Sequence, residues 1–105
     1  MVSKGGVHMR YIKVKWIHSS SKNPIWLYSE LDDDRWEVRK VEIYPDGIID
    51  YAGPNGETGS TLLGIVPVPL LEEINTDPEF IGNEITADEF ENIWKKALIA
   101  NDNMK

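Results

Sequence analysis

At 105 residues the chain has the length of one domain, and its 41% hydrophobic residues, four tryptophans among them, suffice for a core and exclude an intrinsically disordered protein. Eleven basic against eighteen acidic residues leave a formal charge of −7, whose field repels nucleic-acid phosphates and anionic lipid headgroups and attracts a basic protein. With no cysteine there are no disulfides, thiolate metal sites or cysteine nucleophiles, and no apolar run nears the roughly 18 residues of a membrane span. A cytoplasmic protein with neither nucleic acid nor membrane as partner is expected.

Residues 1–8, MVSKGGVH, differ in character from the rest of the chain and are expected to be an expression-tag remnant, leaving 9–105 as a single domain. RYIKVKWIH then alternates, with Ile12, Val14 and Trp16 on one face and Lys13 and Lys15 on the other, the period of a half-buried strand. SSSKNP reads as a loop, and IWLYSEL is rich in strand formers. DDDR reads as the tip of a hairpin leading into WEVRKVEIY.

In that segment Trp36 and Val38 share one parity while Val41 and Ile43 share the other, so a regular strand cannot bury all four on one face. An extra residue near Arg39 and Lys40 restores the phase, which predicts a β-bulge there or, alternatively, a strand that passes between two packed surfaces. Pro45-Asp46-Gly47 supplies the turn for a second hairpin with IIDYA as its returning strand. GPNGETGSTLLG, with four glycines, is expected to be a flexible connection, LLGIVPVP a short edge strand, and PLLEEI a helical turn or two near 70–75.

The C-terminal helix has the clearest signature. Thr86 and Glu89 form the T-x-x-E capping box, Ile85 precedes the cap as a hydrophobic staple for Phe90, and Phe90, Ile93, Trp94, Ala97 and Leu98 recur at helical spacing. The expected fold is α+β: an antiparallel meander of four to five strands packed against this helix.

Three clusters invite chemistry. Glu30, Asp32, Asp33 and Asp34 offer oxygen ligands, but a calcium loop needs glycine at its sixth position and glutamate at its twelfth, where DDDRWEVRKVEI has Glu37 and Ile43; a solvated turn or a partner-facing patch is expected, with no metal. Gly53, Gly56 and Gly59, followed by Ser60 and Thr61, resemble a phosphate loop but lack its lysine. His18 beside Ser19, Ser20 and Ser21 is not a dyad, because adjacent strand residues point to opposite faces. No enzyme activity and no cofactor are expected.

The runs YIKVKWIH, LYSELDDDRWEVRKVEIYPDG, GIVPVPLLEEINTDPEF and ITADEFENIWKKA resemble a bacterial family, the DUF6881 domain, over residues 10–98. Small acidic proteins of this kind look like the immunity proteins of bacterial toxin systems, and that analogy leads here. In that reading Glu30, Asp32, Asp33, Asp34, Glu37 and Glu42 present negative charge to a basic toxin. Arg35 sits among them, and Trp26 and Tyr28 are candidate aromatic anchors.

The alternative is a nucleotide-binding or sequestering protein. It would use a pocket between the sheet and loop 53–61, with tryptophan or tyrosine stacking on a base and glycine amides with Arg35 or Arg39 holding phosphate. A third reading is a housekeeping interaction module.

Overall fold

The computed structural model describes residues 8–102; most of the expected tag remnant, 1–7, lies outside them. Six antiparallel strands form one sheet: β1 (Arg10–Trp16), β2 (Trp26–Leu31), β3 (Glu37–Ile43), β4 (Ile49–Gly53), β5 (Gly56–Glu57) and β6 (Phe80–Ile85), in the order β5-β4-β3-β2-β1-β6. Helix α1 (Leu71–Ile74) precedes β6, and α2 (Ala87–Asp102) follows it. The α+β class, the meander, the short helix near 70–75 and the C-terminal helix are as expected from sequence. Among the described residues no helix is long and apolar enough to cross a membrane.

Both predicted hairpin turns form, the second with glycine at the positive φ expected of it. Asp32 Oδ1 accepts from the amides of Asp34 and Trp36, closing the β2–β3 turn, in which Arg35 takes φ +67°. At the β3–β4 turn Gly47 takes φ +90°, and its amide donates to the Tyr44 carbonyl.

Two expectations need correction. LLGIVPVP forms no strand; in this stretch the Val68 amide donates to the Arg35 carbonyl, and the prolines at 67 and 69 have no amide with which to extend a ladder. The edge strand on that side is β6, which pairs with β1 after a crossover from the far edge of the sheet. The glycine segment, in turn, is a tight hairpin: β5 pairs with Ala52 and Gly53 of β4.

Register assigns side chains to two faces. Ile12, Ser29, Lys40 and Ala52 stand in one row, with Val14, Leu27, Glu42 and Asp50 in the next. Tyr11, Glu30 and Arg39 point the other way, with Lys13, Tyr28, Val41 and Tyr51 beside them. Helix α2 covers this second face: Phe90 and Ala97 are fully buried, Phe90 meets the Tyr11 ring at 5.5 Å, and Trp94 meets Tyr51 edge-on at 5.2 Å. The Thr86 hydroxyl accepts from the Glu89 amide, the predicted cap.

The first face is covered by α1 and the segment before it. Ile12, Val14 and Leu31 pack against Val68, Leu71, Ile74 and Phe80. Gly82 makes room for this layer, since a Cβ there would lie 2.8 Å from Leu71 Cδ2. The Asn75 amide group bonds both the N–H and the C=O of Gly82, standing in for a further strand along part of the exposed edge of β6.

Candidate functional site

The predicted bulge decides which acidic residues are available to a partner. Glu30 pairs with Arg39 and Leu31 with Glu37, so Val38 is the extra residue, one position before the expected site. Glu37 is thereby moved onto the face of Lys40 and Glu42. Its side chain is only 6% exposed, and its carboxylate accepts from Ser29 Oγ at 2.9 Å, the Gly64 amide at 2.6 Å and Lys40 Nζ at 3.3 Å.

Glu42 accepts from the buried Thr61 hydroxyl at 2.6 Å and from Tyr44 at 3.3 Å, and Lys40 Nζ donates to the Leu62 carbonyl at 3.0 Å. Glu37 and Glu42 therefore fasten the 61–64 backbone to the sheet. They do not present charge to a partner as expected.

Glu30 needs the same correction. It lies beneath α2 with its side chain 8% exposed, and Arg39 Nε and Nη2 donate to its two oxygens at 2.6 and 3.0 Å. The same guanidinium donates to Glu91 of α2 and lies 5.0 Å from the ring centroids of Phe90 and Trp94. These hydrogen bonds hold the Glu91 carboxyl below its ordinary pKa and the guanidinium above its own. Burial, with Glu30 nearby, raises the Tyr11 phenol.

Of the residues proposed to hold a phosphate, Arg39, Gly53 and Gly56 do line one cavity of about 320 Å³, together with Tyr51 and Trp94. Arg39 there faces two carboxylates, so the local balance is anionic and opposes a phosphate. Thr61 is buried against Glu42, and Gly59, at φ +57°, turns the chain over Asp50. Gly59, Ser60 and Thr61 do not line this cavity.

Trp26 and Tyr28 are half-buried on the α2 side of the sheet, away from the acidic tip. Trp26 starts β2 and the tip follows its end, about 17 Å apart at the usual rise per residue. Trp26 faces Lys13 and Lys15, whose ammonium groups lie 5.6 and 5.8 Å from its ring, rather than carboxylates. Burial raises the Tyr28 phenol, partly offset by Lys13. The expected aromatic anchor and the acidic cluster are thus separate surfaces.

His18 is a loop staple. Its Nδ1 accepts from the Ser20 amide at 3.0 Å, which leaves Nε2 to donate to the Pro24 carbonyl at 2.8 Å.

What remains at the tip is Asp33 and Asp34, both exposed, and a feature that strand-based reasoning missed. Arg35 donates from Nε to the Val68 carbonyl at 2.8 Å and from Nη2 to the Pro69 carbonyl at 2.7 Å, while its own carbonyl accepts from the Val68 amide. This strap fixes the 62–70 loop beside the acidic turn. The loop carries Ile65 at 88% and Val66 at 64% exposure, with Leu62, Leu70 and the tip's own Trp36 also exposed. Several large apolar side chains exposed on one loop and its neighbouring turn suit an interaction surface. The signal lay in the two prolines at 67 and 69, which argue an apolar loop rather than an apolar strand.

Searches of curated proteins and of solved structures return no significant match to the chain. A family model, described as a domain of unknown function, DUF6881, matches residues 10–99, covering both hairpins, the strapped loop and most of α2. On that match the chain belongs to the DUF6881 family.

Proposed function

We propose that the protein is a non-catalytic binding protein for a basic protein partner, in the manner of an immunity-type inhibitor of a bacterial toxin. The Arg35 strap supports this reading, because it ties Val68 and Pro69, in the loop that carries exposed Ile65, Val66 and Leu70, to the turn that carries exposed Asp33, Asp34 and Trp36. An apolar patch rimmed by charge of one sign suits a partner that offers an apolar anchor within a basic surface. The net charge of −7 adds long-range attraction for such a partner.

The test compares three immobilised proteins on lysate of the source organism: the wild type, Ile65→Ser/Val66→Ser and Asp33→Asn/Asp34→Asn. All four positions are exposed, so the variants should fold, and their melting curves check that they do. The expected result is one basic protein retained by the wild type, released as salt is raised, and retained less by each variant. Retention that neither variant changes rejects this surface.

A further inference from the structure

A cleft of about 450 Å³ opens on the first face of the sheet, between the strands and the segment running through α1. Its walls are apolar: Ile12, Val14 and Leu27 from the sheet, Val68, Ile74 and Phe80 from the covering layer. The polar groups lining it are Ser29, Glu37, Glu73, Thr76 and Asp77, and no lysine or arginine is among the lining residues. Apolar walls with a few convergent polar groups are the usual make-up of a small-molecule site.

The state of those polar groups selects the ligand. The Ser29 hydroxyl has committed its single proton to Glu37 Oε2, and Thr76 Oγ1 has committed its own to the Glu73 carbonyl at 2.6 Å. A hydroxyl has one proton and two lone pairs, and a carboxylate only accepts. The lining side chains therefore offer acceptors with no uncommitted donor. On the same face, beside Ser29, Lys40 faces Glu37 Oε1 and Glu42 Oε2 at 3.3 and 3.9 Å, one positive charge against two negative ones. Glu73 and Asp77 at the rim add to the excess.

We infer that this cleft binds a small organic cation with an apolar body, a primary alkyl- or arylalkyl-ammonium. The ammonium, a donor with three protons and no lone pair, sits against Ser29 Oγ and Glu37 Oε2. The hydrocarbon lies between Ile12, Val14 and Phe80. A carboxylate of the same carbon skeleton has no donor to offer and meets an anionic floor. This inference does not rest on the protein-binding reading, whose test lies on exposed residues outside the cleft.

The test titrates the full chain with hexylammonium, phenethylammonium and the carboxylates of matching skeleton, following side-chain methyl resonances and the melting temperature. The expected result is saturable shifts at Ile12, Val14, Leu27 and Ile74 with the ammonium ions, a raised melting temperature, and neither effect with the carboxylates. Glu73→Lys, at an exposed position whose carboxylate holds no other group in place among the described residues, should weaken the ammonium ions by on the order of five-fold while keeping the fold. The inference is overturned by unsaturable or absent shifts at these methyls up to millimolar ligand, by equal binding of carboxylates, or by unchanged affinity in Glu73→Lys.

Discussion

Glu37 and Lys40 lie on one face of the sheet with their charged groups 3.3 Å apart, although they stand three positions apart along a strand. Side chains three apart in a regular strand point to opposite faces; the extra residue Val38 removes that difference. One backbone irregularity thus converts an apparently solvent-facing run of charges into a buried network that anchors the loop above it. Lys40→Met should cost about 3–5 kcal/mol, because it leaves two largely buried carboxylates without their cation. Urea unfolding measures it, and a cost below about 1 kcal/mol would show that the network contributes little.

The second buried pair makes a parallel prediction on the other face. Arg39→Ala should destabilise by about 3–5 kcal/mol by leaving Glu30 unpaired beneath α2, whereas Glu30→Leu/Arg39→Met should recover much of that loss. A double variant as unstable as the single one would mean that the ion pair, not its desolvation, governs this layer.

Acid stability follows from Glu91. Its carboxyl titrates below its ordinary value because Arg39 hydrogen-bonds the charged form. The unfolded chain therefore takes up a proton at higher pH than the folded one, and the stabilisation present near neutrality disappears as pH falls below about 4.5. Melting curves between pH 3 and 7 should show a smaller acid loss in Glu91→Gln than in the wild type.

Gly59 takes φ +57°, and a Cβ there would lie 2.3 Å from Asp50 Oδ2, whose partner oxygen accepts from Thr58. Gly59→Ala should cost about 1–3 kcal/mol from left-handed strain and the displaced carboxylate. Thermal unfolding reads this directly, and an unchanged melting temperature would show that the turn can be rebuilt at no cost.

Much of the fold was legible because its signals are local. Pro45-Asp46-Gly47, the Thr86 cap and the 3.6-residue stripe from Phe90 to Leu98 each act within a few residues, and the change of phase across Trp36–Ile43 announced the bulge. Strand β6 was not legible. FIGNEI has a glycine, an asparagine and a glutamate in six residues, and its pairing with β1 depends on a crossover between opposite edges of the sheet. The site was read only in part for a related reason: alternation tells which side chains share a face, not what covers it. Hence Glu30, Glu37 and Glu42 were grouped with Asp33 and Asp34, and only contacts with α2 and with the 61–64 segment separate them.

The Arg35 strap can be loosened without removing the acidic residues. Arg35→Gly relieves the positive φ but deletes both side-chain bonds to the loop, so stability should change by no more than about 1 kcal/mol while amides across 65–70 exchange faster. Hydrogen exchange resolved by residue would show it, and unchanged exchange would mean that the strap does not hold the loop.

If the acidic turn and the strapped loop form one contact surface for a basic partner, as proposed, a hydrogen-exchange footprint of the protein with and without the captured partner should show protection concentrated at 32–36 and 62–70, with the outer face of α2 and the Lys13–Trp26 side unchanged. Protection on those latter surfaces, with 32–36 and 62–70 exchanging as in the free protein, would contradict it.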